Sequence, residues 1–141
     1  MNFFTPIPSH PVAQSVGIVL VSHSERLAEG LRDLLRQLTR DTRVEVAAGT
    51  EDGSLGTSSA RVTAAIDRAD KGAGVVVLAD LGSAVLTALD VLAEAARDNV
   101  VLVDAPLVEG AVAAAVIAGS GADLAAVVAA AQEARGAGKL P

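Results

Sequence analysis

The sequence predicts an α/β fold: an open, mainly parallel sheet of about four strands in the order 2-1-3-4, with helices on both faces. Three observations predict it. Short β-branched runs alternate with amphipathic helical patterns from residue 16 onward. The runs are almost continuously apolar, as strands covered on both faces are. Each run hands over to a helix, the pattern of right-handed crossovers between parallel strands.

The first 15 residues contain three Pro and no Lys or Arg, so they read as a poorly ordered leader and not as a signal peptide. The first strand is expected at 16–21. The helix after it carries Leu27, Leu31, Leu34, Leu35 and Leu38 on one stripe, with Glu25, Arg26, Glu29, Arg32, Asp33 and Arg36 opposite. Ser22 with Glu25 fits a capping box, and Ser24 is an alternative N-cap. A second strand at 44–48 is followed by a helix that begins after Thr57 or Ser58 and carries Val62, Ala65, Ile66 and Ala69. A third strand at 74–79 leads to a helix from about Ser83, with Val85, Leu86, Leu89 and Leu92 as its apolar residues. A fourth strand at 100–103 precedes a helix after Pro106, and a fifth helix spans about 123–134. The fourth helix, from Ala111 to Ala118, is apolar on all sides, which predicts burial on every face and a partner subunit to complete it. The chain is read as one domain over 16–135 with a flexible tail at 136–141.

Composition narrows the function. Hydrophobic residues are 51% and charged residues 20%, which is globular and not disordered. Aromatics are 1%, so the core must be built of Val, Leu, Ile and Ala. A net charge of −6 and the scarcity of stacking side chains argue against nucleic-acid binding. The absence of Cys excludes disulfides, thiolate catalysis and cysteinyl metal sites. Two His, one of them His10 in the leader, give little basis for a metal site, and neither metal nor cofactor is expected. The apolar stretch near the C-terminus is broken by Glu109 and Asp123 and is too short to span a bilayer, so the expected location is cytoplasmic.

In this topology the loops after the strands gather at one sheet edge, where open α/β folds bind ligands. The first strand ends in Ser22-His23-Ser24 and the third in Asp80-Leu81-Gly82-Ser83. The 2-1-3-4 order places these two loops side by side. A neutral imidazole is a good nucleophile at neutral pH, and His23 reads as the acceptor of a phosphoryl group. Asp80 is the candidate to hold its tautomer. Donors for the phosphoryl group are expected from helix N-termini and from Ser24, Thr57, Ser58 and Ser83, with Gly56 and Gly82 letting backbone amides come close. Each feature has a plainer alternative. His23 could be a helix cap or a packed structural residue, Asp80 could merely cap the third helix or end its strand, and the Gly-rich segment from Gly53 to Ser58 could be a simple turn. Glu109 reads as a first-turn helix acid more readily than as a site residue. The segment lacks the Lys of a P-loop, and of the basic residues only Arg26 falls in these loops.

The runs Val19-Leu20-Val21-Ser22-His23-Ser24, Leu27-Ala28-Glu29-Gly30, Asp52-Gly53 with Gly56-Thr57-Ser58, Asp80-Leu81-Gly82-Ser83-Ala84 and Ala105-Pro106-Leu107-Val108-Glu109-Gly110-Ala111 resemble one family. It is the mannose-type IIA domains of the phosphoenolpyruvate-dependent phosphotransferase system, in the branch (DhaM) that feeds a dihydroxyacetone kinase. The resemblance covers about residues 16–134. It implies a homodimeric phosphoryl carrier, phosphorylated on His23 by the phosphocarrier HPr and oriented by Asp80. The phosphoryl group would pass to ADP on a DhaL-type subunit, and the ATP formed would serve dihydroxyacetone on a DhaK-type subunit. Some family members carry their donor domains on the same chain. With Pro141 as its last residue, this sequence is expected to use a separate donor protein. Sugar-transporting relatives exchange a C-terminal strand between subunits, whereas the tail from Gly136 is short and Gly-rich, so a different dimer contact is expected.

Three competing readings are weaker. A IIA component for sugar uptake shares the chemistry but matches the Asp80 and Pro106 segments less well. A regulatory α/β module of receiver type needs an acidic cluster after the first strand, where Ser22-His23-Ser24 stands. A phosphohistidine hydrolase or mutase needs a second catalytic His or Arg groups on the phosphate.

Overall fold

The computed structural model describes residues 15–141. His10 and the leader up to residue 14 lie outside the described residues. The element order is β1 (Gly17–Ser22), α1 (Glu25–Leu38), β2 (Val44–Ala48), α2 (Ser59–Ala69), β3 (Val75–Ala79), α3 (Gly82–Glu94), β4 (Val100–Leu102), α4 (Leu107–Gly119) and α5 (Leu124–Glu133). The strands form one sheet in the order β2-β1-β3-β4, every pair parallel, as the sequence predicts.

Alternation along the strands divides the core into two layers. Ile18 and Leu20 of β1 and Val76 and Leu78 of β3 point toward α1, α4 and α5. Val19, Val21, Val75 and Val77 point the other way, toward α2 and α3. With both faces covered, β1 and β3 carry no exposed residue, and their apolar runs follow from that. Gly17 has a packing reason: a Cβ there would lie 2.4 Å from the carbonyl oxygen of Ala69, where the end of α2 crosses β1.

Two helices bury only part of the apolar stripe that the sequence suggests. In α1 the buried residues are Ala28, Leu31 and Leu35, while Leu27, Leu34 and Leu38 are about half exposed. In α3 the buried residues are Ala84, Ala88 and Val91, and Leu86 and Leu89 face outward. Short alanines let a helix sit close to the sheet, and this contact outweighs the pull of the larger side chains in an isolated periodicity. The expectation that α4 is buried on every face holds for only part of it. Gly110, Ala111, Ala114, Ala115 and Ala118 are buried, whereas Val108 and Val116 are about half exposed.

Register sets the site. Ser22 pairs with Ala48, and Val21 with Ala79, so three strands end level. The ladder continues past them: the Asp80 N–H donates to the Val21 carbonyl at 3.1 Å and the Gly49 N–H to the Ser22 carbonyl at 3.2 Å. His23, Gly49 and Asp80 are thereby held at one edge before any side chain is considered.

Candidate functional site

His23 follows β1, and its side chain is 23% exposed, while that of Asp80 is only 12% exposed. The Nδ1 of His23 lies 2.9 Å from Asp80 Oδ1, and its Nε2 lies 2.5 Å from Ser83 Oγ. Asp80 accepts three further hydrogen bonds: from the Ser22 hydroxyl at 2.8 Å, the His23 N–H at 3.0 Å and the Leu81 N–H at 2.7 Å. Burial pushes the Asp80 carboxyl up, but the bonds from the His23 N–H, the His23 ring, Ser22 and Leu81 outweigh it and hold the group below the usual carboxylate range. An ionised Asp80 can only accept, so Nδ1 carries the ring proton and Nε2 carries the lone pair. The Ser83 hydroxyl then donates to Nε2. Nε2, with its lone pair, is the more exposed of the two ring nitrogens.

The neighbouring helix ends are built differently. Ser24 caps α1, accepting from the Leu27 N–H at 3.3 Å, and Ser58 caps α2, accepting from the Arg61 N–H at 3.2 Å. Such caps each contribute about 1 kcal/mol. Helix α3 starts at Leu81 with no side-chain cap, although its first turn meets His23 through Ser83. Its first-turn amides have no intrahelical acceptors and carry the positive end of the helix dipole.

The site residues expected from the sequence divide accordingly. His23, Asp80 and Ser83 come together. Gly82 opens α3, and Gly56 donates its N–H to the His23 carbonyl at 3.0 Å, which lays the Gly-rich loop against the histidine. That loop turns at Gly53 and Gly56, whose φ values of 83° and 143° favour glycine. Thr57 and Ser58 engage their hydroxyls with partners other than His23. Thr57 Oγ1 lies 2.7 Å from Thr87 Oγ1, and Ser58 donates to Glu51. The capping-box alternative for Ser22 and Glu25 does not form. The Ser22 hydroxyl serves Asp80 and accepts from the Ser24 N–H at 3.1 Å, while Glu25 pairs with Arg61 at 2.6 Å. Glu109 is a first-turn acid of α4 and pairs with Lys139 at 2.7 Å.

Two participants escape a reading by residue type. Ser22 is wholly buried at the end of an apolar strand, and a hydroxyl in that place needs a partner, which was the available signal. Arg61 belongs to α2 and not to a loop, yet its guanidinium reaches the Ala48 carbonyl at 3.0 Å as well as Glu25. Among the described residues no group of three or more His, Asp or Glu side chains gathers as a metal site, and no helix is long and apolar enough to cross a membrane.

Residues 17–128 match the EIIA-man family model, described as the PTS system fructose IIA component. The chain is 43% identical over 116 residues to the PEP-dependent dihydroxyacetone kinase phosphoryl donor subunit DhaM of Escherichia coli (strain K12), covering 77% of this chain and 25% of that protein. It is 38% identical over 106 residues to the corresponding DhaM subunit of dihydroxyacetone kinase 1 of Listeria innocua, covering 74% and 82%. The chain therefore spans about a quarter of the length of the first relative and most of the second. A solved structure described as a protein of unknown function superimposes with a TM-score of 0.74 at 40% identity, over 84% of this chain and 94% of its own. The dihydroxyacetone kinase of C. freundii has a similar fold, with a TM-score of 0.61 at 17% identity over 87% of this chain and 25% of its own.

Proposed function

This chain belongs to the EIIA-man family, in its dihydroxyacetone kinase branch, and we propose that it is the phosphoryl carrier of a phosphoenolpyruvate-dependent dihydroxyacetone kinase. In this reading His23 accepts a phosphoryl group from HPr and gives it to ADP held on a DhaL-type subunit. The ATP so formed phosphorylates dihydroxyacetone on a DhaK-type subunit. The observation that carries the reading is the clamped imidazole: Nδ1–H on an ionised Asp80, with the Nε2 lone pair turned to the Ser83 hydroxyl on the more exposed side.

The chemistry follows from that geometry. The Nε2 lone pair forms the new N–P bond while the donor's own N–P bond breaks and its electron pair returns to the donor nitrogen. No proton leaves His23. The ring then holds both an N–P and an N–H bond and is positively charged, and the Asp80 carboxylate beside Nδ1 offsets that charge. The Ser83 hydroxyl, released from Nε2, turns its proton to a phosphoryl oxygen, and the uncapped first turn of α3 from Gly82 adds amide donors. Ser24 and Gly56 shape the rim through the α1 cap and the His23 carbonyl. Return of the group to a second acceptor reverses the same steps.

A carrier must dock proteins over its histidine, and the surroundings of His23 suit that. Leu55 and Leu81, on the two loops flanking it, are 79% and 61% exposed. Leu27, Leu34, Leu107 and Val108 line an apolar groove between α1 and α4 that Asp80 also borders. Apolar surface beside an exposed nucleophile fits protein partners better than a small polar substrate.

Discharge tests the assignment. Phosphorylated protein mixed with free ADP is expected to yield little ATP, because the site has no P-loop. Adding an ADP-loaded DhaL-type subunit should discharge it quickly, and a DhaK-type subunit should then convert dihydroxyacetone to its phosphate. Rapid discharge to free ADP, or discharge only to a sugar-transporting membrane component, overturns the proposal. The chain is also proposed to act as a homodimer, supported by the half-exposed Val116 of α4 and Leu86 and Leu89 of α3. Sedimentation equilibrium at micromolar concentration should give twice the chain mass, and a monomer there refutes it.

A further inference from the structure

We infer that Thr57 and Thr87 form a hydroxyl bracket that ties the Gly-rich loop to the first turn of α3 and sets where Ser83 meets His23, which makes Thr87 a positioning residue for phosphoryl transfer. The inference rests on the reading of His23 as the phosphoryl acceptor.

Proton counting fixes the direction of the bracket. A threonine hydroxyl has one proton and can accept in addition. Thr87 Oγ1 lies 3.1 Å from the Ser83 carbonyl, which can only accept, so the Thr87 proton is committed there. The 2.7 Å contact between the two threonines must then be a donation from Thr57 to Thr87. Thr57 therefore has no proton for a phosphoryl oxygen while the bracket is closed. Its hydroxyl holds the loop, and the donation falls to Ser83 and the backbone.

The bonds close a circuit. His23 Nε2 meets Ser83 Oγ, the Ser83 carbonyl meets Thr87, Thr87 meets Thr57, and the adjoining Gly56 N–H returns to the His23 carbonyl. Each link sets the next. Asp52 bonds to Thr50 and Ser54 and ties the near side of the loop to itself, whereas the far side is held to α3 through Thr57. Helix α3 needs that tie, since no side chain caps its start. A threonine bonded back to the carbonyl four residues earlier competes for that carbonyl and bends the turn. It does so here at the residue whose hydroxyl touches the nucleophile.

The test compares Thr87→Val, Thr87→Ser and Thr57→Val in phosphoryl transfer from phosphorylated HPr, with kcat and KM resolved separately. Valine keeps the shape and removes the hydroxyl, whereas serine keeps the hydroxyl. Thr87→Val should lower kcat by about tenfold or more with little change in KM, since small misplacements at a reacting centre have effects of that order. Thr87→Ser should recover most of the loss. Thr57→Val approaches the same pair from a partly exposed loop position, so it gives the test independently if Thr87→Val does not fold. The double variant should be no slower than the worse single one. Wild-type kcat in either valine variant overturns the bracket, as does a loss in Thr87→Ser equal to that in Thr87→Val. A His23→Ala control separates the two claims: label on that variant overturns the acceptor reading itself, whereas unchanged transfer in the valine variants overturns only the bracket.

Discussion

His23→Ala should take up no phosphoryl group when incubated with phosphoenolpyruvate, enzyme I and HPr, whereas the parent chain should take up one per chain. The label should be labile to acid and stable to alkali, as a phosphoramidate is. The loss should be complete and not graded, because the side chains that meet at this point, Ser22, Asp80 and Ser83, hold no second imidazole or thiol that could replace the first. The Ser83 hydroxyl is the nearest alternative. A phosphoserine there would be stable to acid and would be distinguished by that property. The fold should survive, since His23 is only partly buried and lies outside both core layers. His10→Ala should label like the parent. Acid-labile label that persists in folded His23→Ala would remove the basis of the carrier assignment.

The path from sequence to site was legible where backbone topology decides and illegible where rotamers decide. Alternation of apolar runs and helical stripes sufficed for the order β2-β1-β3-β4. That order alone brings Asp80 beside His23, because level strand ends leave consecutive loops no other place to go. The helix starts after Ser24 and Ser58 were legible from capping chemistry. The direction of a hydroxyl was not. Ser58 and Thr57 have the right residue type in the right loop, yet one caps its own helix and the other reaches α3. Ser22 reads as a cap from its spacing to Glu25, but strand pairing buries it and turns it to Asp80. The exposure of Leu27, Leu34 and Leu38 in α1 and of Leu86 and Leu89 in α3 was illegible for a related reason, whereas Leu31 and Leu35 are buried as their spacing predicts. Periodicity weighs Leu above Ala, whereas close packing on a sheet favours Ala84 and Ala88.

Asp80→Asn should slow phosphoryl transfer from HPr onto His23 by about 10²- to 10⁴-fold while leaving the fold intact, by analogy with the orienting carboxylate of a Ser-His-Asp triad. Two effects act together. An amide can offer its N–H₂ to the ring, which favours the tautomer with the proton on Nε2 and removes the lone pair from the open side. An amide also carries no charge, so the cationic ring formed on phosphorylation loses its counter-charge 2.9 Å away. The first effect predicts that the resonances of the His23 ring nitrogens exchange character in ¹⁵N spectra of the unphosphorylated variant. The second predicts that the phosphorylated variant, once made, discharges faster than the parent. Stability should follow the carboxyl's titration. Its folded value is lowered, through bonds that outweigh burial. The stability it contributes is therefore complete above its unfolded value, about pH 3.9, and is lost as pH falls through the lower folded one. Chemical denaturation should then show a gap between parent and variant that is constant at neutral pH and closes only in strong acid. A folded Asp80→Asn protein that transfers at the parent rate would reduce Asp80 to a cap on the third strand.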